Sequence, residues 1–169
     1  VVTGLWILLF RLNHWLFSTV VISQYISWVF LPAALRVLAV LLLEWRGVQG
    51  LFWGALFTHS QLPTLNEPEP LILALISSLA PMLAIRVSAR FLGVQGNLAG
   101  LTFAQLALMS LMGALISSVT HNLYFHWHFT DHTWLRGIAP MLIGDMIGTL
   151  IVLYVCAVVL RRLRLAPPP

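Results

Sequence analysis

Three apolar stretches, residues 71–91, 101–125 and 135–160, dominate the second half of the chain. At ~1.5 Å per helical residue, each is long enough to cross a hydrocarbon core of about 30 Å. Helices that apolar have no stable place in water unless a large protein surrounds them, and the 169 residues of this chain are too few to do so. The composition says the same: 60% apolar residues, 8% charged residues and a mean hydropathy of +0.93 lie outside the range of soluble domains. The expected fold is therefore all-α, a polytopic transmembrane helix bundle of five to six hydrophobic segments. Residues 1–165 form a single transmembrane domain, and residues 166–169 form a proline-rich tail.

Upstream of these stretches the apolar runs are 5–31, 33–45 and 47–59. Pro32 and the Trp45-Arg46-Gly47 corner punctuate them, residues 60–70 form a polar loop with three prolines, and residues 93–100 form a glycine-rich turn. A helix of 13 residues spans only ~20 Å. Residues 33–59 are thus either a short helical hairpin, tilted or re-entrant, or one broken span. The positive-inside rule favours the hairpin, because it keeps Arg11, Arg46, Arg90 and the arginines at 161, 162 and 164 on one side. Both termini are then cytoplasmic, with the loops at 60–70 and 126–134 outside, and the compartment is a bacterial inner membrane. Val1 is not a methionine, which leaves room for a longer helix or an anchor upstream.

The nine basic residues are all arginine, and several sit at segment ends. The net charge of +4 then serves topology and contact with lipid headgroups, and nucleic acid is a poor fit. The single cysteine, Cys156, excludes an internal disulfide framework.

Three pairs, Gly50/Gly54, Gly96/Gly100 and Gly144/Gly148, have the small-xxx-small spacing that lets helix backbones approach closely in lipid. They either pack the bundle itself or form a docking face. The sequence Gly47-Val48-Gln49-Gly50 returns as Gly93-Val94-Gln95-Gly96, each copy followed by a further glycine, as in a parallel repeat or by chance. Between the last pair lies Asp145, placed ~15 Å along its helix from the outer end. Insertion of an aspartate at that depth costs ~3 kcal/mol. It is expected to be protonated, paired or lining a polar cavity, with Arg86 and Arg36 as the candidate partners.

Short motifs carry a resemblance. Leu31-Pro32 through Leu41-Leu42-Leu43, then Arg46-Gly47 and Gly50-Leu51-Phe52-Trp53-Gly54-Ala55-Leu56, are followed by Trp134-Leu135 and Ile143-Gly144-Asp145-Met146-Ile147-Gly148-Thr149-Leu150. In that order they resemble the first type of bacterial membrane-associated sensor domain, the MASE family. Ala33 and Ala34 stand where that family carries a glycine. The resemblance implies a multi-helix input module without catalysis of its own, which senses through the membrane or docks onto another integral membrane protein. Such modules usually precede a histidine kinase or cyclic-dinucleotide output domain.

The polar chemistry concentrates in His121, His126, His128 and His132, with His59 expected at the same level. Neutral imidazoles at one depth suit copper, zinc or nickel. Interleaving with Tyr124, Phe125, Trp127, Phe129 and Trp134 suits an interfacial aromatic belt, and a rim of histidines also suits a pH response. Ala55 and Ser117 stand four residues before His59 and His121, the space a haem or chlorin beside an axial imidazole needs. The expectation is no cofactor. No nucleophile with a base, phosphate-cradling loop or carboxylate pair appears, so the chain is expected to be a sensory or partner-binding membrane module and not an enzyme. The alternative is an accessory or transport subunit of a membrane complex, handling a metal ion, proton or bound cofactor.

Overall fold

The computed structural model describes residues 1–23, 26–63, 65–66, 68–92, 102–128 and 134–165. Among them are five helices, α1 (Val2–Phe17), α2 (Pro32–His59), α3 (Glu69–Leu92), α4 (Phe103–His128) and α5 (Trp134–Leu165). A 3-10 turn (Ser18–Val20) and a two-stranded antiparallel ribbon of β1 (Val21–Ser23) and β2 (Ile26–Ser27) join α1 to α2. The fold is helical as expected. Three helices are long and apolar enough to cross a membrane, over Glu69–Phe91, Ala104–His128 and Arg136–Leu163. Among the described residues these three meet that length and composition, and the five to six spans expected from hydropathy are not confirmed, because α1 and the arms of α2 are short.

Helix starts follow local chemistry. At the head of α3 the Asn66 backbone N–H donates to the Glu69 carboxylate at 2.9 Å. At the head of α4 the Thr102 N–H donates to Gln105 Oε1 at 2.8 Å while Thr102 Oγ1 accepts from the Gln105 N–H, a capping box that satisfies otherwise orphaned amides. Pro81 inside α3 has no N–H to give to the Ser77 carbonyl one turn earlier.

Helix α2 reverses on itself. Glu44 has a φ of 49°, the left-handed region, and breaks the helical path. Trp6 donates to Thr58 Oγ1 at 3.1 Å and also lies 5.6 Å beneath the Arg36 guanidinium. On a straight helix Arg36 and Thr58 would stand about 33 Å apart, so the two arms, residues 32–43 and 45–59, must lie side by side. A Cβ on Gly47 would meet the Ala39 carbonyl oxygen at 2.1 Å, so only glycine allows so tight a turn. The arms reach about 18 and 22 Å and are too short to cross ~30 Å of hydrocarbon separately.

The run at 5–31 is not one helix. Its helical part ends at Phe17, where Thr19, Val20, Val21 and Ile22 place β-branched side chains in succession and the backbone turns extended. Residues 26–31 then run along α5. The Phe30 N–H donates to the Gly144 carbonyl at 3.0 Å, and the Leu31 N–H donates to Asn13 Oδ1 at 2.8 Å. The early stop also moves Arg11. It bonds Gln61, beyond the end of α2, and so lies at the opposite end of the bundle from the inner side to which the charge pattern assigned it.

Helix α2 packs against α1, α3 and α5, α3 against α4, and α4 against α5. The core beneath α1 gathers Val2, Trp6, Leu35, Ala39, Val48 and Leu51. Gly50 and Gly54 sit against the side chains of Val2 and Trp6, the close helix approach their spacing suggested. Gly144 and Gly148 instead receive the backbone carbonyls of Ser27 and Phe30, with a Cβ at 2.2 and 2.0 Å, and so pack an extended segment instead of a helix. Gly96, Gly100, the second copy of the internal echo and the tail at 166–169 lie outside the described residues.

Candidate functional site: a polar-floored cavity

Arg36 is one turn inside α2 and only 5% exposed, and Asp145 on α5 is 2% exposed. The Arg36 Nη1 donates to Asp145 Oδ2 at 2.9 Å and to Ser117 Oγ on α4 at 2.8 Å, joining three helices through one nitrogen. The guanidinium carbon lies 5.0 Å from the Phe30 ring centre and 5.6 Å from that of Trp6, and the two rings meet each other edge to face on one side of it. Arg36 Nε and Asp145 Oδ1 have no hydrogen-bond partner among the described residues. Arg86, the other candidate partner, lies on the exposed side of α3.

His121 sits beside this pair. Its Nδ1 lies 2.8 Å from the Ser117 carbonyl, which can only accept, so Nδ1 carries the proton. In the neutral ring Nε2 then accepts from the Ser77 hydroxyl at 3.1 Å. Both ring nitrogens are engaged, and an axial ligand to haem or chlorin would have to break one of these bonds. The Ser117 hydroxyl, read in the sequence as empty space beside a macrocycle, is taken by Arg36.

These groups line one cavity of about 430 Å³, within the ~300–1,000 Å³ range of small-molecule pockets. Its floor is Arg36, Asp145, Ser77 and His121, all buried. Its mouth carries the exposed Arg11, His14, Ser18 and Gln61. Phe10, Phe30, Leu62, Phe125 and Met141 supply apolar walls. His59 and Thr58 close the side formed by α2, and His59 Nδ1 has no partner among the described residues.

The histidines do not converge as one set. His59 and His121 share the cavity, whereas His126 and His128 are exposed near the end of α4, where the His128 ring lies 4.3 Å from that of Tyr124. His132 is outside the described residues. Among the described residues no group of three or more His, Cys, Asp or Glu side chains could hold a metal ion. The sequence reading missed Ser77, Thr58, Trp6, Asn13 and Phe30. For Ser77 the available signal was helical phase: on α3, Leu73 and Ser77 stand four residues apart and share one face, as His121 and Phe125 do on α4.

No family model matches the chain, and neither a curated protein nor a solved structure matches it. The resemblance to the MASE family therefore rests on the residues quoted for it.

Proposed function

We propose that this chain is an integral membrane sensory module, without catalytic activity of its own, whose receptor element is the cavity. The observation that carries the reading is the gradient within it, from an exposed polar mouth to a buried floor where Arg36 and Asp145 tie α2 to α5. Helix α5 gives a change at that floor a way out. Its side chains are largely exposed from Tyr154 to Leu163, so it continues past the packed bundle as a free rod. This arrangement suits the input role that the resemblance implies. We place the module in a bacterial inner membrane with both termini cytoplasmic and the cavity mouth outside. The exposed Arg46, Arg90, Arg161 and Arg162 then lie on the cytoplasmic side.

The test is thermal unfolding of the purified protein in lipid nanodiscs against a panel of neutral, cationic and anionic solutes of cavity size. A ligand at 100 times its Kd stabilises the native state by about 2.7 kcal/mol, so a receptor shows a clear rise in midpoint with at least one member. Val21→Trp, which fills the mouth from a half-exposed rim position, abolishes the rise. If no solute stabilises the protein, or if Val21→Trp leaves stabilisation unchanged, the reading is wrong.

A further inference from the structure

Fixed charge in the cavity is unbalanced. Among the described residues that line it, Arg11 and Arg36 face a single carboxylate, Asp145, and the other titratable groups are the histidines His14, His59 and His121. One more negative charge brings this described lining to neutrality. The deep guanidinium also has donors to spare: it carries five N–H groups, its bonds to Ser117 and Asp145 both leave from Nη1, and Nε is unpartnered. A buried guanidinium with unfilled N–H donors is matched by a carboxylate, whose two oxygens can accept a pair of them side by side. Beyond this polar floor, Phe10, Phe125 and Leu73 supply apolar parts of the wall.

We propose that the cavity binds a small monocarboxylate with an apolar body, whose anion competes with Asp145 for Arg36 and so loosens the tie between α2 and α5. The inference rests on the reading of the cavity as the receptor site and adds the chemical class of its ligand. A phosphate monoester fits less well, because its charge of about −1.5 to −2 overshoots the single charge the site lacks. The route in is from water, since the mouth is lined by Arg11, His14, Ser18 and Gln61. Asp145 acts as an internal stand-in for the ligand. It occupies one edge of the guanidinium when the cavity is empty and is displaced when the ligand arrives.

Calorimetric titration in nanodiscs with three isosteric probes tests this: 3-phenylpropionate, its uncharged amide, and 3-phenylpropylammonium. The carboxylate is expected to bind at least about tenfold more tightly than the amide, a difference of ~1.4 kcal/mol, and the ammonium not at all. Asp145→Asn keeps the shape of the side chain and removes the competing charge, so it is expected to tighten 3-phenylpropionate binding several-fold. A purely structural pair predicts the reverse, weaker binding in a loosened protein. The double variant Arg36→Met with Asp145→Leu removes both charges together, and in a protein that still unfolds cooperatively it is expected to lose carboxylate binding. Equal or tighter binding of the amide or ammonium, or weaker carboxylate binding in Asp145→Asn, overturns the proposal while leaving a receptor cavity. If 3-phenylpropionate fails to bind while neutral or cationic members of the wider panel do, the ligand class is wrong. If nothing binds, the receptor reading fails as well.

Discussion

Replacing Asp145 with leucine strands Arg36. The guanidinium keeps one neutral acceptor, Ser117 Oγ at 2.8 Å, and Arg36, 5% exposed in the native protein, stays against Trp6 and Phe30 with no counter-charge. Removing one partner of a buried pair costs ~3–5 kcal/mol, whereas replacing both with apolar side chains is often neutral or stabilising. In a micelle the unfolded helices stay embedded and find other partners, which lowers such costs. We therefore expect ~3 kcal/mol for Asp145→Leu and a similar loss for Arg36→Met. The double variant is expected within ~1 kcal/mol of wild type, giving a coupling energy of several kcal/mol. Reversible unfolding in mixed detergent–lipid micelles, followed by circular dichroism, measures all four corners of the cycle. Single-variant losses that add to within ~0.5 kcal/mol would refute the reasoning, since they would mean that the two charges are solvated separately.

Two further outcomes follow from packing and topology. Gly148→Ala drives a methyl group to within 2.0 Å of the Phe30 carbonyl, which is backbone and cannot swing aside, so a loss of ~1–3 kcal/mol is expected in the same unfolding assay. Gly113→Ala meets only ordinary contacts at 3.6 and 3.8 Å and is expected to fall within ~0.5 kcal/mol of wild type; equal effects would contradict the geometry. In a Cys156→Ala background, Asn66→Cys is expected to react with an impermeant thiol reagent from outside intact cells and Arg162→Cys to stay unlabelled. Labelling of position 162 would reverse the proposed orientation.

The sequence disclosed what hydropathy and punctuation can encode. The runs at 71–91, 101–125 and 135–160 correspond to α3, α4 and α5 to within about five residues at each end, because long apolar helices need no partner to define their extent. The reversal in residues 33–59 was legible in the Trp45-Arg46-Gly47 corner and in the shortness of its arms. The end of α1 was not, since an apolar run reads the same whether its backbone is helical or extended. Arg36 and Arg86 looked equivalent for a related reason: both lie inside apolar segments, and only the rotational setting of each helix decides that one faces Asp145 and the other is exposed. The glycine pairs showed the same limit. Spacing announced that something approaches Gly144 and Gly148 closely, and the approaching group turned out to be non-helical backbone from more than a hundred residues earlier.

That backbone has a consequence for biosynthesis. Residues 26–31 lie along the part of α5 about 12–18 Å from Arg136, where its apolar span begins, a depth at which lipid offers no hydrogen bonds. The Phe30 amide finds its acceptor on Gly144, and Arg36 finds its carboxylate 109 residues downstream, so the segment before α2 and α2 itself are completed only by α5. A chain still emerging from the ribosome, with α4 made and α5 not yet inserted, holds an unsatisfied amide and an unpaired guanidinium within the membrane. On the proposed membrane placement, such packing argues against insertion as a simple succession of finished helices. The early segments would then be completed late, when Asp145 and the glycine face of α5 arrive beside them.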